Sequence, residues 1–328
     1  MPLDAGLRYG GAEVIVEMTA HELRGLGVDV EVLTPYTRGL GDIVHAFGVY
    51  PPYLAIQNMC RQQQVPFVLT PIYLGGLSPW GVLHERIRAR RRNHPVWHAR
   101  KLIAGAVRVL PNTRFEAAQV RRIFACDPTS VIVVPDGVEE RFAHADPRLF
   151  RERTGIRGPF VLNVARLESR KNQLRLIQAL RGSGRHLVLF GKPMDQEYLA
   201  ACREAGGDAV TFLPPAGHDD PLLASAYAAA HVFALPSLIE TPGISAMEAG
   251  IAGARIVTTP IGGGDEYFGP DAWYVKPESV DSIRAALDGA WEAPPSTALR
   301  ERLLRDYTWR AVAQQTLGVY RDVLAATA

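Results

Sequence analysis

The chain has 328 residues, a length typical of two globular domains. Hydrophobic residues make up 47% and charged residues 21% of it, which excludes an intrinsically disordered protein. The formal net charge of +2 argues against a dedicated nucleic-acid binder.

The three cysteines are scattered and include no CxxC pair, which argues against a zinc site or a disulfide framework. We therefore expect a reduced, cytoplasmic compartment. No apolar run reaches the ~18–20 residues of a membrane-spanning helix.

Short β-branched runs alternate with amphipathic stretches along the first part of the chain. This alternation predicts parallel strands joined by helices. The predicted strands are Val28–Thr34, Asp42–Phe47, Phe67–Thr70, Val107–Leu110 and Val131–Val134. The predicted helices include Ala12–Leu26 and Arg114–Phe124.

A polar stretch near residues 141–158 precedes a second part, in which the alternation restarts. The predicted strands there are Phe160–Val164, His186–Phe190, Val210–Phe212, Val232–Leu235 and Arg255–Thr258. The predicted helices are Gln173–Leu180, Gln196–Glu204, Leu222–Ala229, Ile244–Ala252 and Val280–Trp291. The pattern indicates an α/β protein with two parallel sheets, in domains over residues 1–145 and 155–305. A last helix, over 308–325, is a candidate to pack back on the first domain.

One segment after a predicted strand carries two glutamates, Glu240 and Glu248, on either side of Gly243. Because Gly243 precedes a predicted helix, the N–H groups of Ile244 and Ser245 are expected to face an anion. Glu248 lies about 7–8 Å further along the helix axis, at about 1.5 Å per residue. This spacing suits a diphosphate followed by the ribose hydroxyls. The segment therefore predicts a nucleotide-sugar site with a phosphate cradle, a ribose acceptor and a second carboxylate.

Further motifs surround this segment: Val164–Asn172, Phe190–Gly191, Ala226–Ser237, Gly262–Phe268 and Tyr307–Trp309. Together with the E-x7-E block, they resemble the family 4 retaining glycosyltransferases, the glycosyl transferases group 1. The resemblance implies the GT-B fold, which has two Rossmann-like domains facing a cleft. Upstream, the matches are looser, at Gly10–Gly11, at Asn112–Thr113 and at Pro135–Val138, where Asp136 replaces the family's usual Asn.

The resemblance also implies roles for four side chains. Arg166 and Lys171 would stabilise the leaving diphosphate, Glu240 would contact the donor hexose, and Glu248 would hold the ribose. From the residues alone, the two cations could equally be solvated side chains at a helix start. The two acids could equally be a loop carboxylate and a helix-surface residue. A helix start disfavours cations unless an anion is nearby, which favours the functional interpretation of the basic pair.

Three glycine or histidine positions carry weaker predictions. The resemblance indicates that Gly11 faces the diphosphate or the acceptor from the first domain, although a glycine pair before a helix is often only a turn. Gly262–Gly264 could be a turn or a close approach to the sugar. His45, at a strand end, could be structural or could line the cleft.

The family resemblance implies a metal-independent hexosyltransferase that uses a UDP-, GDP- or ADP-sugar and no cofactor. The acceptor would be a hydroxyl of a glycan, a lipid-linked or a small molecule, in the synthesis of a polysaccharide or glycoconjugate. Asp219–Asp220 is a pair in a predicted loop, not by itself a metal site. The alternatives are a non-catalytic nucleotide-sugar-binding or partner subunit and an epimerase, and the E-x7-E block argues against the second.

The stretch His84–Lys101 contains seven Lys/Arg and one acid. It could be a solvated helix face, a site for an anionic glycan, or a contact with anionic lipid on the inner face of a membrane. The sequence also departs from the family at its start. Residues 1–8 lack the apolar strand that normally precedes the glycine loop, so we expect a reduced first domain with its first strand missing or encoded upstream.

Overall fold

The computed structural model describes residues 11–34, 36–75 and 78–327. The helices are α1 Gly11–Gly25, α2 Tyr53–Gln62, α3 Pro79–Arg88, α4 Pro95–Gly105, α5 Arg114–Phe124, α6 Arg148–Thr154, α7 Gln173–Leu180, α8 Gln196–Gly206, α9 Pro221–Ala229, α10 Ile244–Ile251, α11 Gly264–Phe268, α12 Val280–Glu292, α13 Ala298–Asp306 and α14 Trp309–Thr327. The strands are β1 Val44–Phe47, β2 Phe67–Thr70, β3 Arg108–Val109, β4 Phe160–Val164, β5 His186–Phe190, β6 Val210–Leu213, β7 Val232–Leu235, β8 Arg255–Thr258 and β9 Ala272–Tyr274.

The chain folds into two compact units. The first contains the chain up to Gly137 together with the segment from Trp309, and the second is Val138–Thr308. Residues 138–145, which the sequence places in the first domain, thus belong to the second unit, and the C-terminal helix belongs to the first.

The first unit is built on a parallel sheet of three strands in the order β1-β2-β3. Buried apolar residues of α2, α4 and α5 pack with the sheet into one core. Helix α14 packs on α1 through Leu23, Ala313 and Tyr320.

Two strands predicted in the first unit are wrong. Residues 28–34 are not a strand, and the backbone groups of Val28 and Val30 bond to the preceding helix instead. The N–H of Val28 donates to the carbonyl of Leu23 at 3.1 Å, and the guanidinium of Arg24 donates to the carbonyl of Val30 at 2.6 Å. Of the stretch 131–134, only Val131 forms a β-bridge, with Val109. The expectation for the missing first strand concerns residues outside those described.

The second unit has six parallel strands in the order β6-β5-β4-β7-β8-β9. In order of appearance this is 3-2-1-4-5-6, the Rossmann order, whose direction reverses between the first and fourth strands. All five strands predicted here are present, and the sixth, β9, was missed. Strands β4 and β7 are almost entirely buried because helices cover both faces of a parallel sheet. The predicted α/β class with Rossmann-like parallel sheets is confirmed.

Candidate functional site

The candidate site lies where the strand order of the second unit reverses, at the carboxyl ends of β4 and β7. Such a reversal opens a crevice in which doubly wound sheets bind their ligands. The loop after β4 carries Arg166 and Lys171, and the loop after β7 carries Glu240. The topology thus brings together loops that lie about seventy positions apart in sequence, as the resemblance implies.

A buried ion pair joins the two loops. The ammonium of Lys171 lies 2.5 Å from Oε2 of Glu240, and only 12% and 10% of these side chains are exposed. Ser237 donates its hydroxyl to the same oxygen at 2.9 Å. Burial by itself raises the pKa of Glu240, but the positive charges of Lys171 and Arg170 outweigh it, and the pKa is lowered. Glu240 is therefore a carboxylate at neutral pH.

Asn172 fastens the Lys171 loop to its neighbours. Its backbone is left-handed, with φ of 64°, a conformation that Asn tolerates better than most residues. Its side-chain amide donates to the carbonyls of Pro236 and Pro277 at 2.9 and 2.7 Å. Arg170, which sequence reasoning did not single out, donates to the carbonyl of Ile239 at 3.1 Å. These bonds fix the position of Lys171 against the loop after β7.

Arg166 lies apart from this pair. Its guanidinium is 3.4 Å from Oε1 of Glu168, and 47% of its side chain is exposed. The backbone around it is held, because Gln173 donates its amide to the carbonyl of Arg166 at 3.0 Å. Arg166 is thus a half-exposed cation whose charge is available to an anion in solution, consistent with either sequence interpretation.

Gly243 is required by the backbone as well as by space. Its φ is 89°, and a Cβ there would lie 2.7 Å from Leu235 and 2.8 Å from the side chain of Glu240. Gly262 faces the other side of Glu240, where a Cβ would lie 2.0 Å from the Glu240 carbonyl oxygen. Gly262 thus lies in a turn that packs closely on the backbone of Glu240, and an approach to the sugar stays a prediction.

Helix α10 begins directly after Gly243, as predicted. The first N–H groups of a helix have no partner within it, and those of Ile244 and Ser245 belong to this set. Its eight residues carry Glu248 on the second turn. Beyond the carboxyl end of β7, the glycine, the first N–H groups of the helix and the carboxylate thus follow one another in the expected order.

Glu248 is almost fully buried, with 4% of its surface exposed. Its Oε2 accepts a hydrogen bond from the Tyr227 hydroxyl at 2.7 Å, and its Oε1 lies 3.6 Å from Nδ1 of His218. Burial raises the pKa of Glu248, and the charge of His218 partly offsets that rise. Sequence reasoning found Glu248 but neither of these neighbours.

Glu139 and Arg141 complete the network. Glu139 bonds Nε2 of His218 through Oε1, and Arg141 donates to Oε2 of Glu139 at 2.9 Å. Arg141 also donates to the carbonyl of His218 at 2.8 Å. Burial raises the pKa of Glu139, but the hydrogen bonds from His218 and Arg141 lower it to about 2. Two basic side chains, Arg141 and His218, thus face two acidic ones, Glu139 and Glu248.

Two of the residues singled out in the sequence, Gly11 and His45, lie in the first unit. Gly11 begins α1, and Gly10 lies outside the described residues. The partly buried His45 lies between the Tyr320 hydroxyl, at 2.7 Å, and the Thr70 hydroxyl, at 2.9 Å. Burial lowers the pKa of His45 to about 3, so the ring is neutral. These contacts favour the structural interpretation of His45.

Within the described ranges, no group of three His, Cys, Asp or Glu side chains could hold a metal ion. The side chain of Asp219 is 98% exposed, and Asp220 caps α9 by accepting from the N–H of Leu222 at 2.8 Å. Among the residues that the structure covers, no helix is both long and apolar enough to cross a membrane. A cavity of about 280 Å³ lies elsewhere, at the amino ends of β5 and β6.

Comparison with known proteins places the second unit in a family. Residues 148–304 match the family described as Glycosyl transferases group 1. A D-inositol 3-phosphate glycosyltransferase of Saccharomonospora viridis is 30% identical over 69% of this chain and 58% of its own length. An MMP alpha-(1->4)-mannosyltransferase of Mycolicibacterium hassiacum is 29% identical over 65% of this chain and 53% of its own. The chain therefore spans about half the length of the curated relatives it matches.

Solved structures share the fold. The sucrose-phosphate synthase of Thermosynechococcus elongatus superimposes with a TM-score of 0.76 at 22% identity, over 97% of this chain and 94% of that one. HepE of Anabaena, solved with UDP and glucose, gives a TM-score of 0.73 at 17% identity, over 95% and 96%. At these identities the likeness establishes the fold, and it agrees with the GT-B class expected from sequence.

Proposed function

Since the chain carries a glycosyl transferases group 1 domain and is of the family 4, GT-B type, we propose that it is a retaining hexosyltransferase. It moves a hexose from a nucleoside-diphosphate sugar to a hydroxyl acceptor without a metal ion. The acceptor is a glycan, a lipid-linked or a small molecule, and the product belongs to a polysaccharide or glycoconjugate. The observation that carries this proposal is the buried Lys171–Glu240 pair beside a helix N-terminus at the strand-order reversal.

The proposed chemistry is electrostatic. Breaking the bond between the anomeric carbon and the diphosphate oxygen develops negative charge on the leaving group. Lys171, Arg166 and the first N–H groups of α10 would stabilise that charge, because preorganised donors lower such barriers. Removing one such donor typically costs a rate factor of about 10²–10³. Glu240 would position the hexose while its charge holds the Lys171 ammonium in place.

The ribose would be held by Glu248, whose Oε1 faces His218 without a hydrogen bond at 3.6 Å. A carboxylate oxygen has two lone pairs and can accept from a sugar hydroxyl. HepE has been solved with UDP-glucose as well as with UDP, which supports a uridine nucleotide as the first donor to test. Relatives that act on D-inositol 3-phosphate support a phosphorylated polyol as the first acceptor to test.

A donor panel tests the proposal. UDP-, GDP- and ADP-sugars are screened by thermal shift, and binders are then assayed for slow donor hydrolysis and for transfer to acceptors. We expect one nucleotide class to raise Tm and its sugar to be hydrolysed. If no nucleoside diphosphate stabilises the protein, the proposal fails.

The alternative function is a nucleotide-sugar-binding subunit without activity. The short three-stranded sheet of the first unit motivates it. This alternative predicts nucleotide binding with neither hydrolysis nor transfer. The donor panel therefore separates the two functions directly, because both expect a thermal shift but only the enzyme consumes the donor.

We also propose a peripheral location on the inner face of a membrane, through the basic segment 84–101 and helix α3, which overlaps the start of that segment. Helix α3 has exposed Trp80, Leu83 and Ile87, and Trp80 is 80% exposed. These residues are three and four positions apart, so they share one helix face. The exposed arginines nearby are Arg86, Arg90, Arg91 and Arg92. Anionic lipid attracts such residues at about 1 kcal/mol each.

Vesicle sedimentation tests this location. We expect binding to vesicles that contain anionic lipid, no binding to neutral vesicles, and release by salt. Replacing Arg90, Arg91 and Arg92 by Gln should weaken the binding by about 3 kcal/mol in total. Equal binding to neutral and anionic vesicles would rule out this electrostatic attraction.

A further inference from the structure

His218 connects the buried carboxyl of Glu248 with the partly buried one of Glu139, which comes from a different part of the second unit. It lies in the loop between β6 and α9, with 14% of its side chain exposed. Its Nε2 bonds Glu139, which precedes a 3₁₀ turn at 140–144, and its Nδ1 faces Glu248 of α10 at 3.6 Å. Neither family matching nor sequence reasoning singled out this histidine.

The charged groups around His218 balance only when its ring is protonated. Glu139 and Glu248 are the two acids, and Arg141 is the second cation, held on Glu139 and on the His218 carbonyl. On the other side of Glu248, the Tyr227 hydroxyl donates to Oε2. Asp219 and Asp220 lie in the same loop; Asp219 is solvent-exposed and Asp220 caps α9. With a neutral ring, the network would have one uncompensated buried negative charge.

A buried carboxylate avoids this cost by taking up a proton. For Glu248 the consequence would be functional, because a protonated carboxyl has lost acceptor capacity and its charge. Hydrogen bonds to an ionised group are about twice as strong as those between neutral groups. Anything that keeps Glu248 ionised therefore strengthens its bond to a ribose hydroxyl.

We propose that His218 is a positioning residue that, as an imidazolium bound to Glu139, keeps Glu248 ionised at neutral pH for ribose recognition. This inference rests on the proposed donor site. His218 acts through Glu248 and does not itself contact the nucleotide. Glu139 and Arg141 hold the ring so that Nδ1 faces Oε1 of Glu248.

The direction of the pH dependence follows from the pKa shifts. Burial lowers the pKa of His218, but the bond to Glu139 and the charges of Glu248 and Glu139 outweigh it, so the pKa is raised above 6.5. Burial raises the pKa of Glu248 above 4.5, and the charge of His218 opposes that rise. Ribose recognition is thus retained at neutral pH and lost only when acid protonates Glu248.

The test compares a ribonucleotide with its 2′-deoxy form. The tightest binder among UDP, GDP and ADP and its 2′-deoxy counterpart are titrated by calorimetry from pH 5 to 9. Because the phosphate titrates equally in both ligands, the ratio of their affinities reports only on the ribose contact. In the wild type, we expect a constant ratio from pH 9 down to neutral pH and a fall only when acid protonates Glu248.

His218→Gln removes the titrating cation and keeps a polar side chain. In this variant, the pH at which the affinity ratio falls should be about one to three units higher than in the wild type. That is the usual effect of removing one nearby opposite charge. At neutral pH the ratio should be about tenfold lower than in the wild type, and it should recover as the pH is raised to 9. The control is His186→Gln, a part-buried histidine of β5 that bonds Thr211.

The outcomes separate this inference from the proposed function. A His218→Gln ratio that titrates like the wild type, or that is low at every pH, would show that His218 only supports the fold. If that variant does not fold, the wild-type titration still tests the inference. A wild-type affinity ratio that already falls between pH 9 and 7.5 would overturn it. If nucleotides bind without any ribose preference, the inference fails alone. If no nucleotide binds, the proposed function fails as well.

Discussion

Two carboxylates of the second unit have lowered pKa values, whereas two of the first unit, like Glu248 of the second, have raised ones. In the second unit, Lys171 faces Glu240, and His218 and Arg141 face Glu139, so the pKa of each of these two acids is lowered. In the first unit, burial raises the pKa of Glu116 to about 7, against the opposing effect of two backbone N–H groups. There the pKa of Asp136 is raised well above its usual range by burial and by the charge of Glu116.

We attribute this difference to a structural role of the acids in the first unit and to ligand binding in the second. At the start of α5, Oε2 of Glu116 accepts from the N–H of Asn112 at 2.8 Å, and the N–H of Glu116 donates to the hydroxyl of the N-cap residue Thr113 at 2.9 Å. Its Oε1 accepts from the N–H of Tyr73 at 2.6 Å. Such an acid serves as a hydrogen-bonding group, and burial disfavours its charge more than the two N–H groups favour it. Ion pairs buried at the cost of desolvation, as in the second unit, are expected where a charged ligand binds.

The largest effect is expected for Lys171→Ala. Removing the ammonium leaves Glu240 buried and unpaired, which costs about 3–5 kcal/mol of folding free energy. Donor hydrolysis should fall by about 10²–10³-fold. Chemical denaturation and a hydrolysis assay measure the two losses.

Two variants make this result specific. Arg153→Ala removes an exposed cation of the same unit and should change neither quantity. Lys171→Ala combined with Glu240→Gln should regain most of the stability and none of the hydrolysis. Unchanged hydrolysis in Lys171→Ala would refute its role at the leaving group.

In the first unit, we expect the free energy of unfolding to fall as the pH rises. A folded-state pKa raised from 4.5 to about 7 gives Glu116 a stabilising contribution below pH 4.5 that is lost as the pH rises through 7. The loss by pH 8 is about 3 kcal/mol. The raised pKa of Asp136 means that its buried carboxyl holds a proton that the unfolded chain loses, so Asp136→Asn should raise stability more at pH 8 than at pH 5.

Denaturant titrations at both pH values test this. Asp127→Asn is the control, because Asp127 is a solvent-exposed side chain whose pKa is lowered by its bonds to Thr129. It should show no gain at pH 8. An Asp136→Asn effect that is the same at pH 5 and pH 8 would mean that Asp136 is charged in the folded protein.

Gly243→Ala should cost more than Gly253→Ala. Both glycines have positive φ, 89° and 98°, so both substitutions carry about 1 kcal/mol or more of backbone strain. Only at Gly243 does the added methyl group meet Leu235 and the Glu240 side chain, which adds about 1–3 kcal/mol of crowding. Equal losses of Tm would mean that the space around Gly243 is not closed.

The smallest effect is expected for Tyr227→Phe. It removes the hydrogen bond to Oε2 of Glu248, worth about 1.5 kcal/mol for a charged acceptor, and nucleotide affinity should fall about tenfold. Tyr274→Phe removes a hydroxyl bonded to the Gly269 carbonyl in the same unit. Calorimetry should show no loss for that control. Equal losses in the two variants would contradict a link between Tyr227 and the ribose site.

Much of the second unit could be predicted because its strands are continuous apolar runs bounded by loops, as in β4 and β7. Strand β9 escaped prediction because it has three residues, all only partly buried. In the first unit, the alternating residues 28–34 look like a strand, but a strand also needs a pairing partner, which sequence alternation does not reveal.

Only part of the candidate site could be predicted from the sequence. Glu240, Gly243 and Glu248 lie in one segment, so their spacing is legible in sequence. Glu139 and His218 are 79 positions apart and neither lies in a helix or strand core, so only the fold brings them together. A histidine in a polar loop carries no sequence signal that distinguishes it from a solvated one.

The central claim is that the second unit alone supplies the charged groups that bind the donor nucleotide. Hydrogen exchange with and without a saturating nucleoside diphosphate tests it most directly. We expect protection to concentrate in peptides that cover residues 165–172 and 237–250, and in the loop that contains His218. Protection that is absent from these peptides, or that is confined to the first unit, would contradict the account.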